Sequence, residues 1–353
     1  MKKTTILLGA GAMIPFGGPT TQELTERLML NKICGPVLGN IYKWTNKNVN
    51  FEFLLSSVEN LLDWKLASED NKVNSINPNI LVESVYAYEY TPINTIWDIY
   101  REAVNEIIER VREYDLYTPF CPDKLRSLDS FVINKSKTSN LKIYSLNYDR
   151  LIPKLLKNSN VSFYEGFKDQ CCEYDITKFV NFHNTFFNLH GSIYYSFISG
   201  GQVKLEDIPM NLDHRYNIDG GNPGESKIFL PIIAGYSKSQ RIMSEPLNFG
   251  LATFMNDCNT CDRLVIVGYS FGDPHINSIL KRFVKRDSTE ILIIDYFEGD
   301  RIPDGISAIL YHGFGISQAR FIKDGKTYFA DKQPNIKAYF DGFEQYINEN
   351  LQK

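Results

Sequence analysis

A short apolar run that breaks into glycines is the feature that most limits what this chain can fold into. Residues 4–8 are β-branched or leucine and predict a buried strand, and residues 9–13, Gly-Ala-Gly-Ala-Met, follow at once. Such a turn lets backbone N–H groups approach a pyrophosphate, while the N-terminus of the next helix supplies partial positive charge. Tight strand-to-helix turns without a nucleotide use the same residues, so this segment alone leaves the function open.

Short apolar runs that alternate with helical stretches predict an α/β protein. The predicted strands cover residues 4–8, 141–146, 161–164, 186–190, 228–233, 264–267 and 291–294. The predicted helices between them cover residues 150–157, 246–260 and 275–286. Because such strands are joined by right-handed crossovers, the pattern indicates a doubly wound, mostly parallel Rossmann-like sheet. Residues 196–226 are rich in Gly, Asn and Asp and predict a loop or hairpin excursion.

The stretch from residue 51 to 115 has helical rather than strand periodicity. Its two apolar stripes comprise Phe51, Leu54, Leu55, Val58, Leu61 and Leu62, then Ile96, Ile99, Tyr100, Val104, Ile107, Ile108 and Val111. Thr20 is expected to begin the first helix, with Glu23 completing a capping box. The pattern predicts a helical insertion between the first helix and the second strand of the sheet.

The length of 353 residues allows one large domain with an inserted module. We predict that residues 1–30 and 120–306 form the Rossmann-like domain and that residues 31–119 form the helical insertion. Residues 307–353 are expected to form a C-terminal extension that packs on the core, with a strand near 327–329 and a helix near 335–351.

The charge and hydropathy of the chain argue against two classes of partner. A net charge of −4 disfavours a general attraction to nucleic acid. The basic cluster at Lys281, Arg282, Lys285 and Arg286 is explained more simply as a solvated helix face. No apolar run approaches the ~20 residues that span a bilayer, and the early glycines interrupt the first apolar run too soon for a secretion signal. We expect a cytoplasmic protein that binds neither nucleic acid nor a membrane.

The cysteines do not predict a disulfide scaffold in a chain of this size. The six are Cys34, Cys121, Cys171, Cys172, Cys258 and Cys261. Cys258 and Cys261 form one Cys-x-x-Cys pair, which is only half of a four-cysteine zinc site. The adjacent Cys171 and Cys172 are poorly spaced to supply the rest, so we expect reduced, partly buried thiols and no metal.

Three further segments follow predicted strands and carry polar residues. They are residues 145–149, Ser-Leu-Asn-Tyr-Asp, residues 188–192, Asn-Leu-His-Gly-Ser, and residues 268–273, Gly-Tyr-Ser-Phe-Gly-Asp. Ligands of open α/β sheets bind beyond the carboxyl ends of the strands, so these segments and the first glycines are expected to share one crevice. In their order and separations the four motifs resemble the sirtuin-like NAD-consuming family, and most of all its bacterial branch that hydrolyses NAD in anti-phage defence. The resemblance extends from residue 4 to about residue 295.

Two residues of these motifs are candidates for catalysis. His190 follows an apolar strand, and its imidazole can accept a proton from a ribose hydroxyl or a water near neutral pH. Asn147 offers both a donor and an acceptor, which suits it to hold a ribose or a water where oxocarbenium character develops. A lone histidine is more often structural, and a strand-end asparagine is more often a turn or cap residue. The resemblance implies the catalytic role for both.

The resemblance also implies a set of contacts to NAD. They are Gly9, Ala10, Gly11, Ala12, Thr20, Asn147, Asp149, Gly268, Ser270 and Asp295. Gly268 and Ser270 would contact the adenosine half, and Asp295 would accept hydrogen bonds from its ribose. Asp295 fits a solvent-exposed strand end almost as well. Asp149 is predicted mainly as a helix N-cap, and Asp273 before Pro274 reads equally well as the N-cap of the next helix.

Several positions differ from the protein-deacylating sirtuins that these motifs also resemble. The interval 192–227 contains no cysteine, so the zinc ribbon of those enzymes is not expected. Leu146 stands where they have glutamine, residues 235–236 are Gly-Tyr rather than Gly-Glu, and residues 14–17 lack their Asp-Phe-Arg. These differences argue against deacylation and leave NAD binding intact, with water as the acceptor of the ribosyl group.

The resemblance therefore implies an NAD+ glycohydrolase that takes NAD+ as its substrate and releases nicotinamide and ADP-ribose without a metal. A non-catalytic sensor of NAD or ADP-ribose and an NAD-dependent protein deacylase or ADP-ribosyltransferase are the alternatives. Because depletion of NAD harms the host cell, the activity must be restrained until it is triggered. This restraint implies a homo-oligomer or a partner. In the resembled family the partners include a neighbouring DNA-translocating ATPase and a phage-derived activator.

Overall fold

The structure is a computed structural model that describes residues 1–46, 49–69, 90–117, 122–168, 174–198, 202–207, 209, 232, 245–283, 288–297, 321–330 and 333–351. The strands are β1 (Lys2–Leu8), β2 (Ser139–Ser145), β3 (Thr185–Asn188), β4 (Tyr195–Ile198), β5 (Gln202–Leu205), β6 (Arg263–Val267), β7 (Glu290–Ile294), β8 (Phe321–Asp324), β9 (Thr327–Ala330) and β10 (Gln333–Tyr339). The α-helices are α1 (Thr21–Leu30), α2 (Gly35–Trp44), α3 (Phe51–Glu69), α4 (Ile93–Tyr117), α5 (Pro122–Thr138), α6 (Leu151–Asn158), α7 (Ile176–Asn181), α8 (Leu247–Thr260), α9 (Pro274–Phe283) and α10 (Phe343–Leu351).

Eight of these strands form one sheet in the order β3-β2-β1-β6-β7-β10-β9-β8. The first six are parallel to their neighbours, whereas β9 pairs antiparallel with both β10 and β8. The chain runs outward from β1 through β2 to β3, then returns and runs outward through β6 and β7. The switch point of this doubly wound sheet therefore lies between β1 and β6. The predicted α/β fold class is confirmed.

Alternation along the central strands sends side chains into a separate core on each face of the sheet. Leu7 of β1 packs with Tyr144 and Ile266 in the core that α8 and α9 cover. Its neighbours Ile6 and Leu8 pack in the core that α5, α6 and α10 cover. Because both faces are covered, Ile6–Leu8 of β1, Leu264–Val267 of β6 and Ile291–Ile294 of β7 are continuous apolar runs, as is usual for a buried parallel sheet.

The predicted helical insertion is present as α2, α3 and α4, which pack together with α1. Every residue of the two predicted apolar stripes is buried, and all of them belong to one cluster that also contains Leu24 and Leu28 of α1. The exact domain boundaries stay a prediction. None of the helices in the described part of the chain combines the length and apolarity that a membrane crossing needs.

Two predicted elements differ in the structure. Residues 161–164 hold only a single bridge, from Tyr164 to Thr185 at the outer edge of β3. The helix predicted near 335–351 is wrong in its first half, where Gln333–Tyr339 forms β10 beside β7. In β10 the buried Ile336 and Ala338 recur at a spacing of two, which is the strand period, but two residues are too few to establish a period from the sequence.

The hairpin predicted within residues 196–226 is present as the antiparallel pair β4–β5. The rest of that excursion lies outside the described residues. The same holds for the strand predicted over 228–233 apart from Ile232, which bridges antiparallel to Gly191. Residues 235–236 and the basic residues Lys285 and Arg286 also lie outside the described part of the chain.

Candidate functional site

A cavity of about 500 Å³, hereafter the main cavity, opens at the carboxyl ends of the central strands. Its described lining includes every residue predicted to act on or bind the ligand except Ala12, which is fully buried at the end of the first 3-10 turn after β1. The crevice that the four motifs predicted is therefore present as a single space. This is the position at which open α/β sheets bind ligands.

The order of the strands sets the order of the polar groups along this edge. The order β3-β2-β1-β6-β7 arranges the residues that follow each strand as His190, Asn147, Gly9, Gly268 and Asp295. With a spacing of about 4.8 Å between neighbouring strands, the row extends over roughly 19 Å. The imidazole and the amide therefore lie on one side of the switch point, and Asp295 lies on the other.

The glycines after β1 pack against the loop after β6. The N–H of Gly9 donates to the carbonyl of Val267 (2.8 Å), and the N–H of Gly11 donates to the carbonyl of Gly268 (2.9 Å). A Cβ at Gly9 would lie 2.4 Å from the Gly268 carbonyl oxygen, which no side chain tolerates. The expectation that these N–H groups reach a phosphate is therefore wrong for Gly9 and Gly11. Their small size instead permits the close approach of the two loops.

The N-terminus of α1 also faces the main cavity. Two 3-10 turns follow β1, and α1 begins only at Thr21. The predicted cap is confirmed, since Thr20 Oγ1 accepts from the N–H of Glu23 (3.0 Å). Thr20, Thr21 and Gln22 line the cavity, so the positive end of the helix dipole points towards it. The capping box is not completed, because the carboxylate of Glu23 pairs with Arg110.

Asn147 is held in a defined orientation beside the glycine loop. Its Nδ2 donates to the carbonyl of Gly9 (3.0 Å), which leaves Oδ1 as the second polar atom of this amide. The backbone at this point is held by Asn188, whose Nδ2 donates to the carbonyls of Asn147 (2.8 Å) and Asp149 (3.0 Å). The amide therefore has a fixed position at the end of β2.

His190 contacts a carboxylate that the sequence pattern did not link to it. Its Nε2 lies 3.0 Å from Oδ2 of Asp273, and both side chains are almost fully buried. Asp273 is also the predicted cap of α9, because its Oδ1 accepts from the N–H groups of His275 (2.8 Å) and Ile276 (3.3 Å). The Asp-Pro pair was a signal for a cap, but no local signal indicated a partner on a distant strand.

Burial affects the pKa of Asp149, the acidic residue in the segment after β2. Burial, and next the charge of Asp115, raises the pKa of Asp149 to about 7. Its Oδ1 accepts from the N–H of Leu151 (3.0 Å). Asp149 therefore supports the start of α6, although the cap position itself is Arg150.

The main cavity carries acidic groups and, among its described lining residues, neither Lys nor Arg. The carboxylic acids are Glu52, Asp149, Asp273 and Asp295. An anionic part of a ligand would therefore be held by backbone N–H groups, hydroxyls and the α1 dipole rather than by a cationic side chain. A group that gains positive charge would be favoured near the carboxylates.

The helical insertion forms part of the wall. Its residues in the lining are Asn50, Phe51, Glu52, Val111 and Tyr114. Arg110 of α4 bonds the Glu23 carboxylate and the Gly17 carbonyl (3.1 Å), which fastens the insertion to the loop after β1. The sequence pattern identified Phe51 and Val111 only as core residues, because an apolar stripe does not reveal that one end of it borders a cavity.

A second cavity of about 620 Å³ adjoins the main cavity and shares Gly11, Ile14, Gly268 and Asp295 with it. It continues past the ends of β7 and β10 to the N-terminus of α10. Tyr296, Asp341, Gly342, Phe343 and Glu344 belong to this part of its lining. The contribution of the C-terminal segment was missed, since residues 341–344 were predicted to lie inside a longer helix.

The described cysteines lie away from both cavities. Cys34, Cys258 and Cys261 are buried and not joined in a disulfide, and the Cys261 thiol donates to the Cys258 carbonyl (3.4 Å). Burial raises the pKa of the Cys258 thiol. Within the described residues, no group of three or more His, Cys, Asp or Glu side chains is arranged to hold a metal ion. Cys121, Cys171 and Cys172 lie outside the described part of the chain.

Comparison with known proteins finds no matching family model and no matching curated protein. Among solved structures, the chain is similar to Sir2Tm bound to a propionylated peptide, with 11% identity over 99% of this chain and 92% of the other and a TM-score of 0.40. It is also similar to a sirtuin solved in a study of substrate affinity (12% identity, 99% and 93% covered, TM-score 0.41). A variant of a Sir2 homologue in complex with ADP-ribose gives 12% identity, 99% and 91% coverage and a TM-score of 0.41. What the chain does is therefore inferred from its own cavity.

Proposed function

We propose that this chain is an NAD+ glycohydrolase, which cleaves NAD+ with water to nicotinamide and ADP-ribose. One observation carries the proposal. A single cavity at the switch point brings the imidazole of His190 and the amide of Asn147 to one side of the glycine loop and Asp295 to the other. These are the groups that the motif resemblance assigns to the two ends of a dinucleotide.

The arrangement suggests how NAD+ would lie. The nicotinamide ribose would lie beside Asn147 and His190, above the ends of β2 and β3. The pyrophosphate would lie near the N-terminus of α1, where helix N–H groups and the Thr20 and Thr21 hydroxyls compensate its charge. The adenosine would extend past Asp295 into the second cavity, whose lining continues without a break from Gly268.

The acidic lining suits the chemistry of N-glycosidic cleavage. The C–N bond breaks with its electron pair passing to the nicotinamide nitrogen, which neutralises the pyridinium ring and leaves positive charge on the ribose. Carboxylates and the Asn147 carbonyl oxygen stabilise that charge. A water oxygen then bonds the anomeric carbon and transfers its proton to His190. Each of these steps uses a group in the lining of the main cavity.

The proposal extends to regulation. Because loss of NAD harms a cell, the resemblance implies an effector of anti-phage defence that a homo-oligomer, a DNA-translocating ATPase or a phage-derived activator controls. The helical insertion supports this idea only by its position, since it contributes Glu52, Val111 and Tyr114 to the wall of the main cavity. A movement of this insertion would change the space available to NAD+.

The test is a product analysis with purified chain and NAD+, alone and with an acyl-lysine peptide, and in cells with and without phage infection. We expect nicotinamide and ADP-ribose in equal amounts, with no need for the peptide. If nicotinamide is released only when the peptide is present, and the peptide loses its acyl group, the chain is a deacylase rather than a hydrolase. If the chain binds NAD+ but does not cleave it under any of these conditions, it is a sensor rather than a hydrolase.

A further inference from the structure

Two apolar side chains in the lining of the second cavity are exposed to water. Tyr296, the second residue after β7, is 66% exposed, and Ile14, in the second 3-10 turn after β1, is 45% exposed. A single exposed apolar residue is common on protein surfaces, but two that border one cavity form the kind of surface that a ligand covers.

The segment that carries Tyr296 is held by the segment after β10. The N–H of Asp295 donates to the carbonyl of Tyr339 (2.9 Å), and the N–H of Gly342 donates to the carbonyl of Asp295 (3.0 Å). Tyr296 itself forms an antiparallel bridge with Asp341. Its ring lies against Gly342, because a Cβ there would be 3.4 Å from Cδ2 of Tyr296. The ring is therefore supported by the backbone of a neighbouring segment while most of the residue stays exposed.

The wall that carries Ile14 is joined to the same C-terminal segment. Ile14 and Phe16 are the first and last residues of the second 3-10 turn, and Phe343 is the first residue of α10. The rings of Phe16 and Phe343 meet edge to face, with centroids 6.1 Å apart and planes at 89°. Both residues are buried. This core contact ties the two sides of the second cavity together.

The distance between the two sides suits a flat ring. The loops after β1 and β7 leave the sheet two strands apart, which is about 10 Å at the usual spacing. A purine in van der Waals contact on both faces needs about 7–8 Å between the atoms on either side. The space between the two loops is therefore of the size that one base fills.

The charges around the second cavity favour a neutral ring there. Both cavities share Asp295. Of the other carboxylates in the lining of the second cavity, Asp341 pairs with Lys326 (3.8 Å), and Glu344 pairs with Lys124 (2.8 Å). The described lining of the main cavity instead combines carboxylates with neither Lys nor Arg. Because the nicotinamide ring of NAD+ is a cation and adenine is neutral, nicotinamide suits the main cavity and adenine suits the second cavity.

We propose that the adenine base of NAD+ lies between Tyr296 and Ile14, hereafter the base slot, and stacks on the Tyr296 ring. Base–aromatic stacking does not depend on hydrogen bonds to the base edge, so an exposed ring that is held in place is sufficient for it. The identity of the dinucleotide rests on the proposed function, whereas binding of the base can be measured without turnover. The base slot also gives the C-terminal segment a role, because Gly342 and Phe343 support its two walls.

The experiment measures the affinity of the full chain for ADP-ribose and for nicotinamide mononucleotide by calorimetry. ADP-ribose carries the adenine and has no nicotinamide to lose, and nicotinamide mononucleotide carries the other half of NAD+. Tyr296→Ala is expected to weaken ADP-ribose binding on the order of 10-fold or more, while the affinity for nicotinamide mononucleotide stays within about twofold. Tyr296→Phe keeps the face of the ring and should bind ADP-ribose within about twofold of the native chain.

The matched control is Tyr90→Ala, because Tyr90 is 91% exposed and does not belong to the described lining of either cavity. Its affinity for both ligands should be that of the native chain. The proposal is overturned if Tyr296→Ala binds ADP-ribose as the native chain does, if both ligands lose the same affinity, or if the native chain does not bind ADP-ribose. A loss of ADP-ribose affinity in Tyr296→Ala, in a chain that never cleaves NAD+, would uphold the base slot and refute the hydrolase proposal instead.

Discussion

The side-chain amide of Asn147 donates a 3.0 Å hydrogen bond to the carbonyl oxygen of Gly9. This bond joins the end of β2 to the loop after β1, and the loop is in turn bonded to the end of β6 through Gly9 and Gly11. The three strand ends at the switch point thus form one connected unit. The position of the amide in the main cavity depends on all of them.

Replacement of Asn147 tests whether this amide acts in catalysis. Asn147→Ala removes the oxygen that would stabilise positive charge on the ribose, so nicotinamide release should fall on the order of 100-fold or more. Circular dichroism should show a folded chain with cooperative melting. The matched control is Asn181→Ala on α7, where the amide bonds only the Thr177 carbonyl of its own helix. Equal turnover in the native chain and Asn147→Ala would exclude a catalytic amide.

Gly268 should be intolerant of any side chain. It has φ +56, and a Cβ there would lie 2.0 Å from the backbone nitrogen of Ala12. Gly268→Ala should lower the free energy of unfolding by at least about 1–3 kcal/mol from the backbone conformation alone, and it should weaken NAD+ binding. In contrast, Gly39 lies in α2 with nothing within 4 Å of its Cβ position.

Gly39→Ala should therefore raise the free energy of unfolding by about 0.5–1 kcal/mol through helix propensity. Urea unfolding of both variants measures the contrast. If the midpoint of urea unfolding is the same for Gly268→Ala and the native chain, the loops after β1 and β6 do not pack against each other as described.

Asp149 should make stability depend on pH. Its pKa rises from 3.8 to about 7 on folding, so between about pH 4 and pH 7 the folded chain keeps a proton that the unfolded chain releases. Stability from this group is therefore fully present below about pH 4 and is lost as the pH rises to 7. Asp149→Asn keeps an acceptor for the Leu151 N–H and removes the titration.

The Tm of Asp149→Asn relative to the native chain should therefore increase between pH 5 and pH 8 in thermal scans. The control is Asp123→Asn at an exposed position on α5, for which the difference in Tm should be independent of pH. A constant difference for Asp149→Asn would show that its carboxyl does not titrate in this range.

Arg110 should fasten the helical insertion to α1 and to the loop after β1. Its partly buried guanidinium bonds the Glu23 carboxylate and the Gly17 carbonyl, so Arg110→Ala should cost about 1.5–3 kcal/mol of unfolding free energy. Arg101 on the same helix has only an exposed pair with Asp98, and Arg101→Ala should cost less than about 0.5 kcal/mol. If urea unfolding gives the same loss of unfolding free energy for both variants, the contacts of Arg110 with Glu23 and Gly17 do not stabilise the fold.

The features that the sequence predicted correctly are those with a strong period or a chemical reason. The stripes from Phe51 and Ile96 onwards have helical spacing over several turns, and all of them are buried. Thr20 is a cap because a hydroxyl can accept from the N–H three residues on. The row of polar groups along the main cavity could be predicted because parallel strands end at a common edge of the sheet.

The features that the sequence did not predict depend on contacts between distant segments. The segment of β10 is too short for its period to outweigh the helical pattern that follows it, and its pairing with β7 makes it a strand. The contact of Asp273 with His190 and the presence of Glu52 in the wall leave no local pattern. Gly9 and Gly11 line the main cavity, but their N–H groups bond the end of β6 and the first residue after it, which only the packed structure reveals.

The most direct test of the central claim is NAD+ binding and nicotinamide release measured together for the native chain and His190→Ala. Calorimetry should give similar affinities for both, because the main cavity and the second cavity keep most of their contacts. The rate of nicotinamide release should fall on the order of 100-fold or more in His190→Ala. Release at the native rate from His190→Ala would contradict the account, since the chemistry would then lie elsewhere than beside this imidazole.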